Sequence, residues 1–224
     1  MTINHLTAGY PARLEVDYPE KLDRLTTFFR ILWIIPIAII LGLISGAGET
    51  ITNTVFLNEA GEVIRNTQQT AGGLFAGLIG ATALMILFRQ LYPRWWFDFS
   101  RELTRFEARV GAYATLLTDK YPSSVDEQSV HLELDYPNVR TDLNRWLPLV
   151  KWLLVIPHYF VLFFLSIASF FAVILAWFAI LLTGRYPRSL FDFNVGVSRW
   201  WLRVGAYAFL MVTDRYPPFS LKAE

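Results

Sequence analysis

Eight carboxylates are the residues of this 224-residue chain best placed to do chemistry. Glu15, Asp17, Asp98 and Asp119 return at matching positions as Glu133, Asp135, Asp192 and Asp214. Paired carboxylates can ligate a metal ion or relay protons. Ion pairing is the commoner use of such residues, so Arg94, Arg188, Arg109 and Arg203 are read as their partners. On that reading Asp98 and Asp192 are structural ion-pair residues that hold strand, Tyr-Pro turn and helix together.

Other chemistry finds less footing. A serine hydrolase elbow needs Gly-x-Ser-x-Gly, and Gly196-Val-Ser-Arg-Trp200 lacks the second glycine. The chain has no Walker loop, no dinucleotide fingerprint and no His-Glu-x-x-His. Its histidines, His5, His131 and His158, are scattered, and it has no cysteine. We therefore expect no catalytic residues, no metal site, no cofactor and no enzyme activity.

The elements that carry these residues repeat. Arg13-Leu-Glu-Val-Asp-Tyr-Pro19 returns as His131-Leu-Glu-Leu-Asp-Tyr-Pro137, and Trp33-Ile-Ile-Pro36 as Leu154-Val-Ile-Pro157. Tyr92-Pro-Arg94 with Phe97-Asp-Phe99 returns as Tyr186-Pro-Arg188 with Phe191-Asp-Phe193. Arg109 to Ala114 returns unchanged as Arg203 to Ala208, and Thr118-Asp-Lys-Tyr-Pro122 as Thr213-Asp-Arg-Tyr-Pro217. Matches in one order imply an internal duplication: repeat 1 over 10–122, a polar linker over 123–129, and repeat 2 over 130–219.

Hydrophobic residues make up 54% of the chain and the mean hydropathy is +0.37, an excess that a lipid-facing surface would explain. The polar insertion Gly46 to Gly73 divides the apolar part of repeat 1. Projected onto the undivided run Trp152 to Thr183, it predicts a turn near Leu165–Ser169. The fold expected is thus an all-α integral membrane protein. Four transmembrane helices form two duplicated hairpins, 26–47 with 71–91 and 147–166 with 168–184, each followed by a cytoplasmic amphipathic helix at 97–118 or 191–212. Arg13–Asp17 and His131–Asp135 alternate like short edge strands at the cytoplasmic face, and Phe219–Leu221 is a candidate third.

Of 20 Lys and Arg, only Arg65 lies in the loop between the first two helices, beside Glu49, Glu59 and Glu62. The positive-inside rule then places both termini in the cytoplasm. Arg30, Arg89, Lys151 and Arg185 lie near cytoplasmic helix ends and are expected to snorkel. His158, the exception in the apolar runs, is read as hydrogen-bonded to a neighbouring helix. Pro36 and Pro157 are expected to kink the first helix of each hairpin. Gly42–Gly46 and Gly73–Gly77 have Gly-x-x-x-Gly spacing, which allows close helix approach.

Phe99, Leu103, Phe106, Val110, Tyr113 and Leu117 fall on one helical stripe, as do Phe193, Val197, Trp200, Val204, Tyr207 and Met211. Arginines flank each stripe. The lipid-headgroup or partner-binding residues expected are Arg94, Arg105, Arg109, Arg188, Arg199 and Arg203 with Trp95, Trp96, Trp200 and Trp201. The stripes suit either a membrane interface or a protein contact. The net charge of +1 gives no reason to expect nucleic acid.

These repeated motifs, taken together, resemble an uncharacterised prokaryotic membrane family, domain of unknown function 4389, in tandem over nearly the whole chain. The resemblance implies a bacterial or archaeal cytoplasmic membrane protein and supplies no activity or catalytic residues. Some relatives carry a "lipase" label, which the missing nucleophile elbow contradicts here. The function expected is a non-enzymatic, multi-pass inner-membrane accessory or scaffolding subunit that contacts membrane lipids, anionic ones favoured, and a protein partner or larger membrane complex. The alternative is a small transporter or channel.

Overall fold

Alternation of apolar and polar residues shapes the ribbon at the centre of the molecule. In a computed structural model, which describes residues 9–45, 50–57, 63–70, 74–123, 126 and 128–223, strand β1 (Ala12–Val16) pairs antiparallel with β4 (Val130–Leu134). Leu14 stands opposite Leu132 and Arg13 opposite Glu133. The two-residue period puts Ala12, Leu14, Val130, Leu132 and Leu134 on the buried face and charged residues on the other. The strands predicted at the head of each half therefore exist, and they pair with each other. Phe219–Leu221 forms no strand. It runs instead against the helices, with Phe219 stacked on His158 at 3.9 Å and Leu221 against Gly196, where a Cβ would lie only 2.9 Å away.

The remaining strands, β2 (Thr50–Leu57) and β3 (Val63–Thr70), form a separate antiparallel ribbon inside the polar insertion.

Helix α1 (Arg24–Phe28) is capped by Asp23, whose carboxylate accepts from the Leu25 N–H at 2.9 Å. Then come α2 (Arg30–Ser45) and α3 (Leu74–Leu84), which continues as a π-helical turn, Met85–Arg89. α4 (Arg94–Ala114) begins directly after Pro93. After β4, α5 (Val139–Asp142) and α6 (Pro148–Leu154) lead into α7 (Ile156–Thr183), and α8 (Arg188–Ala208) begins directly after Pro187. The two amphipathic helices predicted at 97–118 and 191–212 are thus present, each starting three residues earlier and ending four residues earlier.

α7 corrects the hairpin expectation. Its 28 residues are continuous through 165–169 and extend about 42 Å at 1.5 Å per residue. No glycine or proline falls between Pro157 and Gly184, so nothing in that stretch breaks a helix. The serines expected at the turn are used laterally. Ser169 Oγ donates to the Asn194 amide oxygen of α8, and Ser166 Oγ accepts from the Trp201 indole at 3.1 Å. Pro157 occupies the first turn of α7, where its missing N–H costs no hydrogen bond, and so makes no mid-helix kink; Pro36 does lie inside α2. Gly184, at φ 72°, ends α7 in the left-handed conformation that glycine adopts without strain.

Among the described residues α7 is the one helix long and apolar enough to cross a membrane; α2 and α3 are shorter. Four such helices are not supported. Gly46 and Gly73, which complete the two Gly-x-x-x-Gly patterns, lie outside the described residues.

The core lies over the buried face of the β1–β4 ribbon. α4 packs on β4 and α8 on β1, while α7 crosses α8 and reaches α1, where the Trp177 indole donates to the Thr27 carbonyl at 3.2 Å. Val197, Trp200, Val204, Tyr207 and Met211 are all buried. The stripe of α8 is therefore a protein contact. On α4, Val110 and Tyr113 are buried, as is Leu117 beyond its end, and Phe99 is 45% exposed.

Candidate functional site

Two kinds of site emerge from the repeated motifs: corners at the starts of α4 and α8, and cations drawn into the protein beneath them. At the first corner Arg94 is 66% exposed and lies over the Tyr136 ring, 4.7 Å from its centroid. Its Nε stands 3.6 Å from Asp98. The Tyr136 hydroxyl donates to the Tyr92 carbonyl at 2.5 Å. At the second corner Arg188, 64% exposed, lies 4.4 Å from the Tyr18 centroid and 3.3 Å from Asp192, while the Tyr18 hydroxyl donates to the Tyr186 carbonyl at 2.5 Å. A tyrosine from each strand segment thus closes the corner that belongs to the other half.

The expected headgroup residues divide by exposure. Arg94, Arg188 and Trp95 are at the surface, and Trp201 is 42% exposed. Trp96 turns inward and donates to Thr82 Oγ at 2.8 Å. Trp200 is buried and donates to His158 Nδ1 at 3.0 Å, so His158 is bonded to a neighbouring helix. Arg105 is held bidentately by Glu102 at 2.7–2.8 Å, and Arg199 donates to the Leu14 carbonyl at 2.7 Å.

Arg109 and Arg203 depart from the expectation. They are buried, at 8% and 3% exposure. Arg109 donates to the Ser123 carbonyl at 2.5 Å, and Arg203 to those of Ser220 and Lys222 at 3.1 and 2.5 Å. Neither meets Asp98 or Asp192, because eleven helical residues separate each pair by about 16 Å along the axis. Asp98 is held by Arg94 and by Arg101 at 3.2 Å. The strand carboxylates pair across the ribbon, Glu133 and Asp135 with Arg13 at 3.2 and 2.7 Å, and Asp17 with His131 at 3.2 Å.

The snorkelling expected of Arg30 and Lys151 is likewise corrected. They are buried at 4% and 1% exposure. Arg30 pairs with Asp119, donates to the Thr118 carbonyl at 2.8 Å and lies 4.0 Å from the Tyr113 centroid. Lys151 stands 2.7 Å from Asp214, donates to the Thr213 carbonyl at 2.7 Å and lies 4.9 Å from the Tyr207 centroid. Each carboxylate also accepts a backbone N–H, Asp119 from Asp23 at 2.6 Å and Asp214 from Asn144 at 2.5 Å. A buried charge is tolerated only when paired and hydrogen-bonded, and both cations are. The signal available in the sequence was the return of Thr118-Asp119 as Thr213-Asp214, with Asp119 ten residues after Arg109 and Asp214 eleven after Arg203.

Among the described residues no three of His, Asp and Glu cluster closely enough to hold a metal ion. What this arrangement does chemically is fix geometry: it locks helices to turns and leaves cationic, aromatic corners at the surface.

A family model described as a domain of unknown function (DUF4389) matches residues 146–220, which spans α6, α7 and α8. No curated protein and no solved structure matches the chain.

Proposed function

We propose that this chain is a non-enzymatic membrane protein that acts as an accessory or scaffolding subunit, built from a duplicated module and seated in the bilayer by the free face of α7. One observation carries the reading. Phe160, Phe163, Phe164, Ile167, Phe170, Phe171, Ile174, Leu175, Phe178 and Leu182 recur at helical spacing and are each 38–78% exposed along the helix. Fully burying a side chain of this size is worth about 1.5–3 kcal/mol, so leaving this stripe in water forgoes on the order of 10 kcal/mol. A contiguous patch of that extent marks a membrane or protein surface. Ile31, Leu32, Trp33, Ile35, Ile39 and Ile40 of α2 add to it.

The duplication is supported by the exchanged tyrosines and the two cation sites, which use matching residues in matching roles. The exposed corners, Arg94 with Trp95 and Arg188, suit lipid phosphates at the interface. A partner complex would account for whatever apolar surface lipid leaves uncovered. On this reading the protein belongs to a prokaryotic inner membrane.

A second reading concerns how α7 sits. α8 covers the opposite face of α7, from Trp200 at His158 through Trp201 at Ser166 to Asn194 at Ser169. That cover favours a helix lying along the interface over one that crosses the bilayer. Depth-sensitive spin labels at Phe160, Ile167, Ile174 and Leu182 in liposomes separate the two. An interfacial helix gives four similar depths and a crossing helix a maximum in the middle. Four labels that remain in water, or a chain that does not float with the liposomes, would overturn membrane seating itself.

A further inference from the structure

Between α3, α4, α8 and the β1–β4 ribbon lies a cavity of about 500 Å³, within the range of small-molecule sites. Its wall is mainly apolar, with Leu78, Leu103, Leu132, Leu202 and Leu210 among the lining residues. Gly111 and Gly205 line it from α4 and α8, and a Cβ added at either meets nothing within 4 Å. The space is therefore open on both helices.

One ionisable group differs in kind from the rest of the wall. The Glu107 carboxyl has no hydrogen-bond or ion-pair partner among the described residues, and burial pushes it up to about 7. Hydroxyls that line the same cavity donate within their own helices: Thr104 to the Ser100 carbonyl at 2.8 Å and Ser198 to that of Asn194 at 3.0 Å. Among the described residues no Lys, Arg, His or Asp lines the cavity, and no second Glu. The other titratable group there, Tyr92, is pushed up to about 12 by burial and stays neutral.

We propose that this cavity binds one molecule of an uncharged single-chain acyl lipid, the chain lying between Gly111 and Gly205 and the polar end hydrogen-bonding to Glu107. The chemistry of the wall selects that class. A carboxylate or phosphate head would meet an acid with no base to offset it, and a bulky second chain has no matching wall. A neutral hydroxyl gives a protonated carboxyl both a donor and an acceptor to pair with, and an ester gives it an acceptor. This inference does not rest on how the chain sits in a membrane.

The test is a scintillation proximity assay on the full chain in mild detergent with tritiated monooleoylglycerol, competed by unlabelled oleate and oleylamine. One site is expected at pH 6, with binding about tenfold weaker at pH 8, since the neutral fraction of an acid titrating near 7 falls about tenfold over that interval. Glu107→Gln should bind equally at both values. Gly111→Leu with Gly205→Leu should remove binding at both, because the added side chains occupy the cavity. Stronger competition by oleate or oleylamine than by unlabelled monooleoylglycerol would overturn the neutral-lipid assignment. A folded double-leucine variant that binds like the parent would overturn the location. Should that variant fail to fold, pH dependence that persists in Glu107→Gln overturns the role of the carboxyl.

Discussion

Lys151 Nζ lies 2.7 Å from the Asp214 carboxylate at 1% exposure, with the Tyr207 ring beside it and the Thr213 carbonyl as a second acceptor. Removing one partner of such a pair leaves the other charge uncompensated, whereas removing both leaves only a packing change. Lys151→Met and Asp214→Asn are each expected to lower stability by about 3–5 kcal/mol, and the double variant by clearly less than their sum. Arg30→Met and Asp119→Asn should behave alike. Thermal unfolding of the four single and two double variants in one detergent checks this. Additive losses would mean that the charges act independently.

The tyrosine exchange makes a symmetric expectation. Tyr18 closes the corner at Tyr186, and Tyr136 the one at Tyr92, each through a hydroxyl at 2.5 Å from a carbonyl. Tyr18→Phe and Tyr136→Phe keep the rings and should each cost about 1 kcal/mol. Unequal losses in the same unfolding assay, one near zero, would show that the two corners are not equivalent in energy.

What the sequence made legible was periodic and local. The alternation of Arg13–Asp17 and the stripe through Val197, Trp200 and Val204 located β1, β4, α4 and α8 to within a few residues, because side-chain periodicity follows directly from backbone geometry. It did not say that β1 pairs with β4, since pairing is a long-range choice. Nor did it place the turn. The insertion in the first half was projected onto 165–169, where Ser166 and Ser169 proved to serve α8 from within an unbroken helix. Arg109 and Arg203 were misplaced for a different reason. A flanking position on a helical wheel reads as surface until a third layer, here the segments at Ser123 and Ser220–Lys222, covers it.

That placement changes the lipid prediction. Arg94→Gln with Arg188→Gln removes the two exposed corner cations and should weaken retention of anionic lipid, each exposed cation near the surface contributing about 1 kcal/mol. The loss should be larger at low salt, where screening is weakest. Arg109→Gln with Arg203→Gln should instead lower the unfolding temperature, since both are buried and donate to backbone carbonyls. Native mass spectrometry with cardiolipin, beside thermal unfolding, separates the two effects. Full lipid retention by the corner variant would assign Arg94 and Arg188 to tyrosine packing alone.

Glu107 supplies a pH dependence whose sign is fixed by its surroundings. Burial raises its folded-state value to about 7, above the ordinary carboxyl value of 4.5 that applies in the unfolded chain. The folded state therefore holds more protons than the unfolded state between those values, and stability falls as pH rises through that window. Below about 4.5 both states are protonated and the group adds no penalty; above about 7 both are ionised and the penalty is constant. Glu107→Gln, neutral at every pH, should leave stability unchanged near pH 4 and raise it at pH 8, flattening the slope between. Unfolding midpoints of parent and variant at pH 4, 6 and 8 test this. Equal gains at all three values would mean that the amide improves packing rather than removing a buried charge, and a gain confined to pH 4 would reverse the sign of the shift.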